Sequence, residues 1–424
     1  MTATSPLDAP IEPPVPTQAS RFAGQEKAFW RLLVRGAVLL LVTLGIYRFW
    51  LVTDVRRALW NNTEIAGDFL EYIGTARELL LGFLIAIALL VPVNVVLFLA
   101  ALRGGVIGQM AGTIAFAVLA ALGQFAIYRA RRYRLSRTVY RGIRFHQTGS
   151  AIRYAVCAIF WWAMIVVTLG LAYPFAQASL ERFKLRNTYY GDLQGQFAGS
   201  GFRLFFRGVL LWVVAVVPFL LGMIVAIAGV DWDVIAEAVR HGGADTVGRI
   251  EAANLGPALA VVTLSIGWSV IAAAVLYPAF QAMVLRWWIS GLRFGELTVT
   301  SQLRGGVVYG LYFRFVWIAL LAALVLAAGA ALAIVIARSL AGWLGSGALT
   351  GSALGVAMLV AGYAIVALAY STIYQATVRW RLWKYGVESL ELAGVEVLHR
   401  VRASGATGSP VGEGLADALN VGGI

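Results

Sequence analysis

The chain has one cysteine, three histidines and only three lysines among 424 residues. A single cysteine excludes an intrachain disulfide framework, and Cys157, inside an apolar run, is expected to be a small core residue. His146, His241 and His399 are far apart and outside the apolar runs, so they read as solvated loop residues rather than a metal or nucleophile-base set. No Gly-Lys dipeptide occurs, which removes a phosphate-binding P-loop, and neither His-Glu-x-x-His nor Gly-x-Ser-x-Gly is present. The expectation is a non-enzymatic protein with no cofactor and no metal.

Acids are scarce as well, 21 against 34 basic residues, for a net charge of +13. Apolar residues fill the chain instead: it is 60% hydrophobic with a mean hydropathy of +0.79. Apolar segments run at about 36–52, 79–102, 106–128, 154–178, 208–230, 256–283, 315–337 and 350–378. Runs of that length make the chain an integral membrane protein. Nearly all of its cations are arginines, whose forked donors suit phosphate. They flank the apolar runs, so the expected partner is anionic membrane lipid and not nucleic acid.

One interval recurs five times at the ends of these runs. Nine residues separate Tyr47 from Arg56, Tyr128 from Arg137, Tyr173 from Arg182, Tyr277 from Arg286 and Tyr370 from Arg379. Tyrosine favours the membrane–water boundary and arginine its cytoplasmic side, so these ten residues form a candidate headgroup-binding belt. Residues 47 to 92 also match residues 173 to 218 without a gap at an offset of 126, with Pro92 meeting Pro218. Upstream, Thr43-Leu44-Gly45 meets Thr168-Leu169-Gly170 with one residue slipped. Paired helix breaks in repeated spans can mark a transport pathway, which makes the two prolines pathway candidates.

The organisation read from this is a disordered tail over 1–21, membrane repeats over 22–150 and 151–304, a C-terminal hairpin with a basic segment over 305–402, and a flexible tail over 403–424. The five regions after the tyrosines hold 25 basic residues, the other connections 4. Eight full spans cannot put all five regions on one side. The expected fold is therefore all-α and polytopic, with six full spans, two re-entrant segments at 36–52 and 154–178, and minor cytosolic β-hairpins. The basic loops and C-terminus would face the cytoplasm of a bacterial inner membrane.

The stretch Thr43-Leu44-Gly45-Ile46-Tyr47-Arg48-Phe49-Trp50, the pair Arg56-Arg57, Asn61-Asn62-Thr63 and Gly74-Thr75 resemble the YjgN-like bacterial inner-membrane proteins. That family usually has proline where Phe49 stands, and the second copy keeps Pro174 but loses the tryptophan. The resemblance covers about residues 25 to 400 and implies a multi-pass inner-membrane protein. It carries no activity and no site residue. Transport or handling of a lipid-like molecule is the leading functional expectation. A scaffold docking a cytosolic partner through the eight arginines of 129–153 is second, and an intramembrane enzyme third.

Overall fold

A computed structural model describes residues 18–102, 105–241, 253–344, 353–404 and 417. Most are helical, and the order of elements repeats. Extended strands β1 (Gln18–Ala19) and β2 (Arg21–Phe22) lead into the helix pair α1 (Glu26–Val42) and α2 (Arg48–Trp60), then the hairpin β3 (Thr63–Ile65) and β4 (Asp68–Tyr72). Next come α3 (Ala76–Leu102) and α4 (Gly105–Ser136), then β5 (Thr138–Tyr140) and β6 (Ile143–Gln147). The pair α5 (Ala151–Val167) and α6 (Tyr173–Arg186) precedes β7 (Thr188–Tyr190) and β8 (Leu193–Phe197). Helices α7 (Gly201–Gly229), α8 (Trp232–His241) and α9 (Leu255–Ser290) lead to β9 (Leu292–Phe294) and β10 (Leu297–Ser301). Finally α10 (Gly305–Leu344), α11 (Ala353–Tyr374), a π turn (Gln375–Arg379) and α12 (Trp380–Glu388) reach β11 (Leu390–Ala393) and a 3₁₀ turn (Val395–His399).

The strands are not minor, which corrects the all-α expectation. They form one eleven-stranded antiparallel sheet in the order β1-β11-β10-β9-β8-β7-β6-β5-β4-β3-β2. Its two outermost strands are consecutive pieces of one segment, separated only by Ser20, so the sheet curls until residues 18–22 close it into a ring. A closed sheet leaves no edge for another chain to pair with. Residues 18–21, expected in a disordered tail, are thus part of the clasp, while 1–17 lie outside the described residues. Local sequence missed the ring because each strand is two to five residues long and pairs chiefly with strands from other units.

Every helical excursion leaves this ring and returns to it. Since β6 pairs with β7, through Phe145 with Tyr190 and Gln147 with Thr188, both ends of the 151–186 segment are at one sheet. The reversal inside it is written in three residues. Thr168 donates its hydroxyl to the carbonyl of Met164 (2.7 Å) and accepts from the Ala172 amide (3.0 Å), while Leu169 and Gly170 take φ of 51° and 97°. Thr43 does the same between Leu39 and Tyr47, with φ of 49° at Leu44 and 93° at Gly45. The threonine thereby ends one helix and starts the next, and glycine supplies the left-handed residue.

Six helices are long and apolar enough to cross a membrane: Ala76–Leu102, Gly112–Ser136, Gly201–Gly229, Leu255–Ser290, Gly305–Ile336 and Met358–Glu388. Their flanks expose large apolar side chains such as Phe116 (75%), Leu264 (74%), Val325 (71%) and Leu359 (77%), a surface suited to hydrocarbon rather than water. The buried cores lie at the ring end of the helices. One gathers Tyr140, Tyr190, Ile289, Leu297, Leu392 and Leu398 inside the ring. Another, holding Phe22, Leu33, Val55, Leu59 and Trp380, seals the first unit against the last. Cys157 is exposed on α5 instead of packed in a core.

Candidate functional site

Hydrogen bonds fix which residues of the units are equivalent. Thr63, Thr138 and Thr188, each the first residue of its strand, donate their hydroxyls to the carbonyl four residues back, at Leu59, Arg134 and Lys184. Arg57 donates to Gly74 and Arg182 to Gly199 across the same seventeen residues. Asn62 reaches Ala58 and Asn187 reaches Phe183. The two units therefore match at an offset of 125 over this stretch, so Arg182 is the counterpart of Arg57. The ungapped register that paired Arg182 with Arg56 is off by one residue here.

Counting back from the first strand residue then reveals the belt. Six residues before Thr63, Thr138, Thr188, Leu292 and Leu390 stand Arg57, Arg132, Arg182, Arg286 and Lys384, a basic residue in every unit. Only Arg182 and Arg286 belong to the set chosen by the nine-residue interval. The step from tyrosine fails because the tyrosines stand anywhere from 10 to 20 residues ahead of these first strand residues. Tyr128 is fully buried and donates its hydroxyl to the Thr148 carbonyl (2.5 Å). Tyr370 is 56% exposed against Phe315, and Tyr47 is half-buried beside Trp50. Arg379 is half-buried within the π turn.

Seven residues before the same strands, side chains turn inward. Arg56, Arg131 and Glu181 occupy this position in three units. Arg56 is wholly buried, bonded to Tyr72 Oη (3.1 Å) and to the carboxylate of Asp417. Glu181 receives Lys184 Nζ and Trp288 Nε1 (3.0 Å), with Arg131 at 3.9 Å. Arg137 grips Glu78 through two donors at 3.1 Å, and Tyr133 donates to the same acid at 2.7 Å. Arg56 and Arg137 are thus held by internal carboxylates, which corrects their expected contact with lipid phosphates. Four of the eight arginines of 129–153 pair with acids of other elements: Arg131 with Glu181, Arg134 with Asp417, Arg137 with Glu78 and Arg141 with Asp68. These pairs tie that stretch into the fold.

The open cationic site lies elsewhere. A cavity of about 480 Å³ between α7, α9 and the ring is lined by Arg203, Arg207, Arg286 and Arg293, with Trp287 and three serines, Ser200, Ser290 and Ser301. No acid lines it. Thr75 and Ser200 both cap the helix that follows, accepting from the amides of Glu78 and Arg203, so these two residues are equivalent. Where one unit closes Glu78 on Arg137, the other sets Arg203 beside further arginines, and Gly291 stands where Arg137 would be.

A second cavity, about 330 Å³ and apolar, is enclosed by the α5–α6 reversal, α7 and α9. Leu171, Tyr173, Trp212, Tyr277, Phe280 and Met283 line it. Met283 in this cavity and Trp287 in the cationic one are four residues apart on α9, about one helical turn or roughly 6 Å. Tyr173 and Tyr277 therefore face an apolar space. Pro92 and Pro218, at positions 17 (from Ala76) and 18 (from Gly201) of their helices, line neither cavity.

Among the described residues no group of three or more histidine, cysteine or acidic side chains could hold a metal. Sequence reasoning passed over Arg203, Arg207 and Arg293 because they lie beyond the motif. The signal that points to them is the serine cap shared with Thr75, which exposes the exchange of Glu78 for Arg203. No curated protein and no solved structure matches the chain significantly. Residues 17–418 match the family described as "Bacterial protein of unknown function (DUF898)", which agrees with the YjgN-like resemblance, and the chain belongs to that family.

Proposed function

We propose that this is a non-enzymatic inner-membrane protein that holds an anionic amphiphile, with its headgroup on Arg203, Arg207, Arg286 and Arg293 and its acyl chain in the neighbouring apolar cavity. The observation that carries the reading is the exchange of the Glu78–Arg137 pair for an acid-free arginine cluster one helical turn from an apolar space. Like-charged guanidinium groups gathered without a carboxylate cost stability unless an anion is supplied, and forked donors favour phosphate oxygens. The other basic belt residues would rest at the leaflet surface.

Native mass spectrometry of gently extracted protein tests it. Acidic phospholipid is expected to co-purify, and the double change Arg203→Gln and Arg286→Gln should lower the retained fraction about tenfold. The belt control Arg57→Gln with Arg182→Gln should change it by less than about twofold. Equal retention in both would refute the site.

For topology, the reading is six spans with the ring and basic belt in the cytoplasm, and with α1–α2 and α5–α6 as re-entrant hairpins. Its support is that both ends of each short hairpin join one ring, and that helices of 13 to 17 residues reach about 20 to 25 Å, short of the roughly 30 Å of hydrocarbon. In a Cys157→Ala background, cysteines placed at the exposed positions Arg144 and Gln194 should label from the same face. Labelling from opposite faces would mean that 151–186 crosses.

A further inference from the structure

The arginines of the cationic cavity differ from Arg56 and Arg137 in what they lack. Arg203, Arg207 and Arg286 make no side-chain hydrogen bond or ion pair among the described residues. Arg293 gives Nη1 to backbone carbonyls alone, Leu292 at 3.0 Å and Val299 at 3.2 Å, which hold its guanidinium against the ring. The rest of the lining also donates. Ser200 and Ser290 accept from the amides of Arg203 and Ser301, so their hydroxyl protons are left to give. The N-terminus of α7, with its partial positive charge, opens on the same space, and neither a carboxylate nor a histidine lines it.

The chain itself shows how many oxygens one such group takes. Arg137 sets Nε and Nη2 on the two oxygens of Glu78, at 3.1 Å each, and Arg56 takes both oxygens of Asp417. One guanidinium fork consumes one two-oxygen anion. A phosphodiester lipid presents two free oxygens and a single charge, enough for one fork of the four. A terminal phosphate presents three oxygens and close to two charges, and a diphosphate more of both. We propose, resting on the amphiphile reading above, that the preferred ligand is a lipid whose chain ends in a phosphomonoester or diphosphate, so that the site selects headgroups with at least two negative charges over phosphodiesters.

The shape of the site agrees with this choice. Gly291 leaves unfilled the position that Asn62, Arg137 and Asn187 occupy in other units, directly before the first strand residue, and about 480 Å³ lies open among the four cations. Met283 and Trp287 put the apolar cavity about one helical turn away, so little can stand between phosphate and chain. A headgroup joined closely to its chain meets both cavities at once. The second alcohol of a phosphodiester would instead turn its substituent into the arginines and cover an oxygen they need.

The test uses the full chain in nanodiscs of neutral phosphatidylcholine, with dioleoyl phosphatidate and dioleoyl phosphatidylglycerol added in equal amounts and the retained lipid read by native mass spectrometry. These two share their chains and differ in the headgroup. Near pH 8, phosphatidate should be retained at least about tenfold over phosphatidylglycerol. The second phosphate proton has a pKa of about 6, while the four arginines stay charged throughout, so near pH 5 the ratio should fall below about twofold. Farnesyl diphosphate should displace phosphatidate, and inorganic diphosphate, which lacks the chain, should need at least about tenfold more. Equal displacement by these two would assign the cavity to a free anion and overturn the lipid ligand. Near-equal retention of both lipids at both pH values, with both lost from the double change Arg203→Gln and Arg286→Gln, would overturn the charge selection and leave the amphiphile site standing. Retention that ignores the double change would sink the amphiphile site itself, and this inference with it. The ratio and its pH step are read on the unmodified chain, so no folding defect in a variant can imitate them.

Discussion

Replacing Glu181 by alanine is expected to lower the unfolding free energy by about 3 to 5 kcal/mol, the scale of breaking a buried ion pair from one side. The carboxylate is 7% exposed and is the shared acceptor for Lys184, Trp288 and Arg131. Without it, an ammonium and a guanidinium face each other with little water to separate them. Glutamine keeps the acceptor for Trp288 but not the charge, so Glu181→Gln should fall between wild type and alanine. Reversible unfolding in mixed micelles measures both, and a loss below about 1 kcal/mol for alanine would show that the cluster relaxes or hydrates.

The same residue sets an acid limb. Burial pushes the Glu181 carboxyl upward, but Lys184 and Arg131 outweigh it and hold the group below the ordinary glutamate range. A depressed folded value means that the contribution is complete above the unfolded value, about 4.3, and is lost as the pH falls through the lower folded one. The wild type should therefore lose stability across that acid window more steeply than Glu181→Gln.

Reversing a single charge in the cationic cavity, Arg203→Glu, is expected to reduce retention of acidic phospholipid by more than about tenfold while leaving stability equal or higher. The opposite signs follow from the comparison within the chain. At the equivalent place Glu78 satisfies Arg137, so a glutamate at 203 would find arginine partners at Arg207, Arg286 and Arg293 and relieve their mutual repulsion. A residue with a merely structural role would move both measurements together. Loss of stability with unchanged lipid retention would assign the cluster to the fold and remove the headgroup site.

Composition and spacing by themselves determined that the chain is a membrane protein, that its basic regions cluster in five places, and that Thr43-Leu44-Gly45 and Thr168-Leu169-Gly170 are one device used twice. These properties are local: apolar runs set spans, and a threonine hydroxyl with a left-handed glycine reverses a helix without help from distant residues. The ring could not be read this way. Its strands are short and alternate weakly, and their pairing partners come from adjacent units and from opposite ends of the chain, as with Ala19 on Glu391 and Arg21 on Glu64. The arginines divide along the same line. Their number is a sequence property, but which ones face outward depends on helix phase counted back from the strand, where one residue is a turn of about 100°. That single residue separates Arg56, sealed against Asp417, from Arg57 on the exposed side. Only the tertiary structure decided it, because the strand fixing the phase is held in place by the neighbouring strands of the ring.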